Sequence, residues 1–194
     1  MNKDYSNCHG VGVCIATNND VLYGDIKEAS EYKLLGIESD DPHQRIYDYL
    51  SDYWPIWSVR RVDEFKKTLG LLRTIPVETF REITMGCVPI IHGKTKLLNE
   101  LYVVRQIHKN RFQSPGLIQA RMLESWYKSH KEMYRILSNE IETTASTSKS
   151  KLDNFLKQGV INYYTSNMRS ALSVREDNNI RKIRAFIRIF FPYI

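Results

Sequence analysis

Leu123, Trp126, Met133, Leu137 and Ile141 run along one face of a single predicted helix, the longest in the chain, and no other feature constrains the fold as much. At about 3.6 residues per turn, side chains three and four apart share a face, and such a face is stable in water only when other elements cover it. Ser114-Pro115 provides the start, a capping residue followed by proline at the first helical position. The pairs Glu124–Lys128 and Lys128–Glu132 are spaced to support the exposed side to about Ile141.

Further helical patterns supply the cover. Asp41-Pro42 starts a helix with Ile46, Leu50, Tyr53 and Trp57 at helical spacing, and Pro55 must bend or break it. Val59 to Ile75 follows, with Val62, Phe65, Leu69 and Leu72 as its stripe and Gly70 as a weak point. Pro76 opens a short helix to about Met85. Lys94 to Lys109 reads as helical with Leu97, Leu98, Leu101 and Val104 buried, and Lys151 to about Leu172 with Leu152, Phe155, Leu156, Val160 and Tyr163 inward.

The β signal is smaller. Val11–Ala16 and Val21–Tyr23, separated by Thr17-Asn18-Asn19-Asp20, predict a hairpin, and Val88–Ile91 is a candidate third strand. Asp25 with Glu28 forms a capping box for a helix that Gly36 closes. The expected fold is therefore mainly α with a small β element, an α+β class: an N-terminal hairpin packed on a multi-helix core. Residues 1–142 would form the main domain, the Ser/Thr-rich residues 143–150 a flexible loop, and 151–194 a C-terminal helical segment packed on the same core.

At that end, Ile180, Ile183, Phe186, Ile187, Phe190 and Phe191 share one arc, and Arg181, Lys182, Arg184 and Arg188 fill the other with no acid among them. A basic amphipathic helix of this kind suits phosphates or an anionic membrane. Charge is polarised along the whole chain. Residues 1–57 hold four basic and ten acidic side chains, whereas residues 58–194 hold 24 basic and 12 acidic, within a total of +6. Such asymmetry favours a polyanionic partner and permits head-to-tail association. Three cysteines, Cys8, Cys14 and Cys87, are too few and odd in number for a disulfide framework. With no secretory signal at Met1–Gly10 and no apolar run near the roughly 20 residues that span a bilayer, the expected location is intracellular and cytoplasmic.

Catalytic patterns fail on spacing. Gly93-Lys94-Thr95 suggests a phosphate loop, but the preceding glycine is required at position 88, which is Val88, so a turn entering a helix is the better reading. Asp63-Glu64-Phe65-Lys66 contains the acid-x-lysine element of some metal-dependent nucleases, with Asp40, Asp41 or His43 as further ligands. On a helix, however, Glu64 and Lys66 diverge by about 200°. His9, His43, His92, His108 and His130 show no metal-ligand spacing, and Cys8, His9 and Cys14 lack a fourth ligand. No catalytic residue, metal or cofactor is expected. The aromatic block from Tyr47 to Trp57 reads as core or protein interface, because Asp48 and Asp52 beside it would repel phosphate.

The functional expectation is a non-enzymatic, self-associating nucleic-acid-binding protein of the packaging or assembly kind, acting on RNA or DNA through phosphate contacts. The nucleic-acid contacts expected are Arg60, Arg61, Lys66, Lys67, Arg105, Lys109, Arg111, Arg181, Lys182, Arg184 and Arg188. Asp40, Asp41, Asp48 and Asp52 would form the acidic side of a homo-oligomer contact. The alternatives are a matrix-type peripheral protein on anionic membranes and, third, a metal-dependent nuclease.

Overall fold

The computed structural model of the 194-residue chain describes residues 4–18, 24–32, 34–52, 57–107, 125–144 and 153–162. Its elements are β1 (Tyr5–Thr17), β2 (Ile26–Tyr32), α1 (Pro42–Asp52), β3 (Val59–Arg60), α2 (Val62–Leu72), α3 (Glu78–His92), β4 (Lys94–Ile107), α4 (Ser125–Thr144) and α5 (153–162). Helices and sheet together make a mixed α+β architecture.

α3 occupies the middle of the helical part. Its residues from Gly86 to Ile91 are buried without interruption, as befits a helix covered on several sides. Phe80, Ile83, Ile90 and Ile91 share one cluster with Ile46 and Leu50 of α1, Met133, Leu137 and Ile141 of α4, and Leu156 and Val160 of α5. Trp126, Met133, Leu137 and Ile141 of the predicted α4 stripe are buried, Leu123 and the Ser114-Pro115 start lie outside the described residues, and Trp126 meets Phe80 edge-on at 4.6 Å between ring centroids. Two glycines allow close packing between the helices: a Cβ at Gly86 would overlap the Tyr49 hydroxyl, and one at Gly159 would lie 2.9 Å from a Leu50 methyl. α1 starts at Pro42 as its sequence predicts, capped by Asp41, whose Oδ1 accepts from the His43 amide at 3.0 Å and from His43 Nδ1 at 2.8 Å.

Pro89 sits inside α3 and has no N–H to give to the Met85 carbonyl. Arg60 replaces it, donating from Nη1 at 2.8 Å. Arg45 serves the orphan carbonyls at the C-terminal end of the same helix, through Nε to Ile90 O and Nη2 to Ile91 O. Two arginines on other elements thereby complete the hydrogen bonding of one helix.

β1 is the central strand of a four-stranded mixed sheet. Along one edge it runs parallel to β4, from Tyr5–Lys94 to Ala16–Ile107. Along the other it is antiparallel to β3 near its start (Asn7–Arg60, Cys8–Val59) and to β2 near its end (Gly12–Tyr32 through Thr17–Ile26).

Several expectations are corrected. Residues 26–32 form a strand and not the capping-box helix expected from Asp25, because pairing with β1 overrides the helix propensity of Lys27, Glu28, Ala29 and Glu31. Val88–Ile91 lies in α3, not in a strand. Lys94–Ile107 is a strand, not a helix, and Leu97, Leu98, Leu101 and Val104 are exposed instead of forming a buried stripe. Gly93 consequently leads out of a helix into a strand, the reverse of the order a phosphate loop needs. α2 starts at Val62, and of its predicted stripe only Leu72 is buried. Thr143 and Thr144 close α4 instead of opening the loop. Val21–Tyr23, most of the 143–150 loop and the basic C-terminal helix lie outside the described residues.

Candidate functional site

Burial and pairing sort the basic side chains. Arg60 is withdrawn from the expected phosphate set: its guanidinium bonds Met85 O and Ser58 Oγ, lies 5.8 Å from the Phe65 ring centroid, and is held below its ordinary pKa by burial. Lys67 is half-exposed but gives its ammonium to Glu140 at 2.7 Å. Arg61 is exposed, with Glu64 at 3.9 Å, and Lys66 is exposed on the same helix. Arg105 is exposed on β4, where it donates to the Tyr32 hydroxyl at 3.4 Å and stands 5.6 Å from that ring centroid. Lys109, Arg111, Arg181, Lys182, Arg184 and Arg188 lie outside the described residues. Arg61 at the N-cap of α2 and Lys66 within it stand about 140° apart around the helix axis, and Arg105 belongs to the sheet.

The acidic set is also engaged within the chain. Asp40 pairs with Lys94 at 2.6 Å, and that hydrogen bond holds its carboxyl below the usual carboxylate range. Asp41 caps α1, and Asp48 accepts from Gln44 Nε2 at 2.7 Å. Nothing is described of the Asp52 side chain.

The nearest approach to a catalytic arrangement is His92 on α3, whose Nε2 is 2.6 Å from Glu140 Oε2 and whose Nδ1 is 3.4 Å from Thr144 Oγ1. A nucleophilic hydroxyl would have to give its hydrogen to the imidazole. Thr144 Oγ1 instead donates to the backbone of Glu140 at 2.8 Å, so the cluster reads as a tie between α2, α3 and α4. Burial pushes the Glu140 carboxyl up, but hydrogen bonds from Lys67 and His92 outweigh it and hold the group below its ordinary value. Asp63, Glu64 and Lys66 lie on α2, the helical setting that makes them diverge. Among the described residues no group of three His, Cys, Asp or Glu side chains is placed to hold a metal ion. Burial pushes the Cys87 thiol up and away from thiolate chemistry. A cavity lined by Asn7, His9, Tyr49, Arg60 and Thr95 has a volume of about 20 Å³, room for a water and not for a substrate.

Two surfaces remain, and sequence reasoning missed both. The first is β4. Apart from one bridge between Thr95 and Ile37, β4 pairs among the described residues with β1 alone, so its outer edge is open from Lys96 to Ile107. Leu101 is 66% and Val104 53% exposed, and between Leu97 and Ile107 only Glu100 and Arg105 are charged. β2, at the opposite edge, carries Lys27, Glu28 and Glu31 within seven residues. The β-branched and aromatic residues Thr95, Tyr102, Val103, Val104 and Ile107 were the available signal for a strand.

The second surface lies on α2, where Val62, Phe65 and Leu69 are exposed although Thr68 and Leu72 of the same helix are buried. The exposed helical spacing was visible; which side of the stripe faced the protein was not. Among the described residues no helix is long and apolar enough to cross a membrane. Compared with protein-family models, curated proteins and solved structures, the chain matches none of them, so both surfaces are read from their own chemistry.

Proposed function

We propose that this chain is a non-enzymatic assembly protein whose copies join through the sheet and whose basic surface holds nucleic acid. The observation that carries the reading is the open, apolar edge of β4. A strand edge presents a row of backbone donors and acceptors, and natural proteins guard such edges with charge, proline or a covering element unless another strand is meant to pair there. β2 carries three charges in seven residues, whereas β4 carries only Glu100 and Arg105 between Leu97 and Ile107. Every copy carries the same edge, so a second copy is a self-complementary occupant.

The nucleic-acid limb rests on the excess of 24 basic over 12 acidic side chains behind residue 57, and on the exposed Arg61, Lys66 and Arg105. Phosphate contacts of this kind weaken steeply with salt, whereas strand pairing with apolar burial does not. Light scattering at about 0.15 M and about 1 M salt separates the two. Oligomers are expected at both concentrations, and Leu101→Lys with Val104→Lys should leave monomers of unchanged fold. A wild-type protein that stays monomeric at every concentration removes self-association. RNA binding that does not respond to salt removes the phosphate-contact limb.

A further inference from the structure

Val62, Phe65 and Leu69 on α2 are 65%, 39% and 43% exposed. At about 100° per residue, these three side chains, with the exposed Lys66 and Arg73, occupy a sector of about 100°. No acidic residue of the helix falls in it. Asp63 lies roughly 60° beyond Lys66, and Glu64 is turned toward the opposite side, with Arg61 at 3.9 Å. Exposed apolar surface continues along the chain just ahead of the helix, at Trp57 and Val59. The helix is held in place: Thr68 and Leu72 are buried beneath it and Lys67 ties it to Glu140.

Apolar side chains flanked by cations have a specific use. Nucleic acid rewards the cations but leaves Val62, Phe65 and Leu69 in water, and a neutral apolar partner leaves the cations without a counter-charge. An anionic bilayer surface engages both, burying the apolar side chains at the acyl boundary while Lys66 and Arg73 meet headgroup phosphates. We propose that the outer face of α2 docks on anionic lipid, a contact separate from the basic helix expected at residues 180–194.

Flotation with vesicles of phosphatidylcholine alone, and of phosphatidylcholine with phosphatidylserine, tests this on the full chain. Binding is expected only with phosphatidylserine. Val62→Ser, Phe65→Ser and Leu69→Ser together should weaken it by about tenfold or more, and Lys66→Glu with Arg73→Glu by a similar factor. The serine variant should keep its RNA affinity, and circular dichroism should show both variants folded, with the serine variant melting lower because Phe65, 39% exposed, loses its contact with Arg60. Three outcomes overturn the proposal: no flotation of the parent protein, flotation unchanged in both α2 variants, or loss in the charge-reversal variant alone, accompanied by an equal loss of RNA binding.

Discussion

The helices and the sheet treat apolar residues in opposite ways. In α3 and α4 they face one another, and Phe80, Met133, Leu137 and Ile141 have almost no contact with water. In β2 and the outer half of β4 the side chains are exposed almost throughout, although β4, with Leu97, Leu98, Leu101, Val103 and Val104, holds more leucine and valine than α3 or α4. Hydrophobic content alone therefore does not mark a core. Apolar area stabilises the fold only where a second element covers it, and elsewhere it is available to a partner.

The largest effect that sharpens this contrast is Phe80→Ala, which removes a fully buried ring from between α3 and Trp126 and should cost about 3–5 kcal/mol in urea unfolding. A smaller loss than about 1 kcal/mol would mean that the helical cluster is loosely packed. Next comes Arg60→Ala, expected to cost about 1–3 kcal/mol because the Met85 carbonyl loses the donor that Pro89 cannot supply. In that background Pro89→Ala should recover part of the loss by restoring the helical N–H. No recovery would assign the role of Arg60 to its packing on Phe65 instead.

Glu140 should contribute about 1–2 kcal/mol, and with a definite pH dependence. Its folded pKa lies below the ordinary 4.5, so its contribution is complete above that value and is lost as the pH falls through the folded one. Glu140→Gln should therefore narrow the gap to the parent protein in acid unfolding as the pH falls below 4.5. A parallel shift at all pH values would contradict the ion-pair account. The smallest effect on stability belongs to Val104→Lys, within about 0.5 kcal/mol, because the side chain already faces water. If it instead lowers stability by several times that amount, β4 is covered within the chain and the contrast with the core fails.

Legibility in the sequence followed the same division. α1 and α4 could be read because cap, stripe and burial agree at Asp41-Pro42, Ile46, Leu50, Trp126, Met133, Leu137 and Ile141. β4 could not, because Leu97, Leu98, Leu101 and Val104 fit a helical repeat, and the partner that makes them a strand lies some ninety positions earlier at β1. The β2 segment has helix-forming composition and was decided by pairing with the same strand, only nine to twenty positions earlier. Among the candidate contacts, Arg61, Lys66 and Arg105 were legible as exposed cations, whereas the withdrawal of Arg60 depends on a proline 29 residues away. Composition reports how many charges a chain has; tertiary structure decides which of them folding consumes.

The parallel pairing of β1 with β4 also has a consequence in time. Tyr5 pairs with Lys94 and Ala16 with Ile107, so β1 has to wait for a stretch of chain made long after it. At about 5–20 residues per second of synthesis, that delay is roughly 5–20 s, during which one edge of a strand without Lys, Arg, Asp or Glu has no partner. Closing so long a loop is also slow relative to helix formation. Pulse-labelled hydrogen exchange during refolding should show α3 and α4 protected before β1, and the interval between them is when this chain is most open to pairing with the wrong strand.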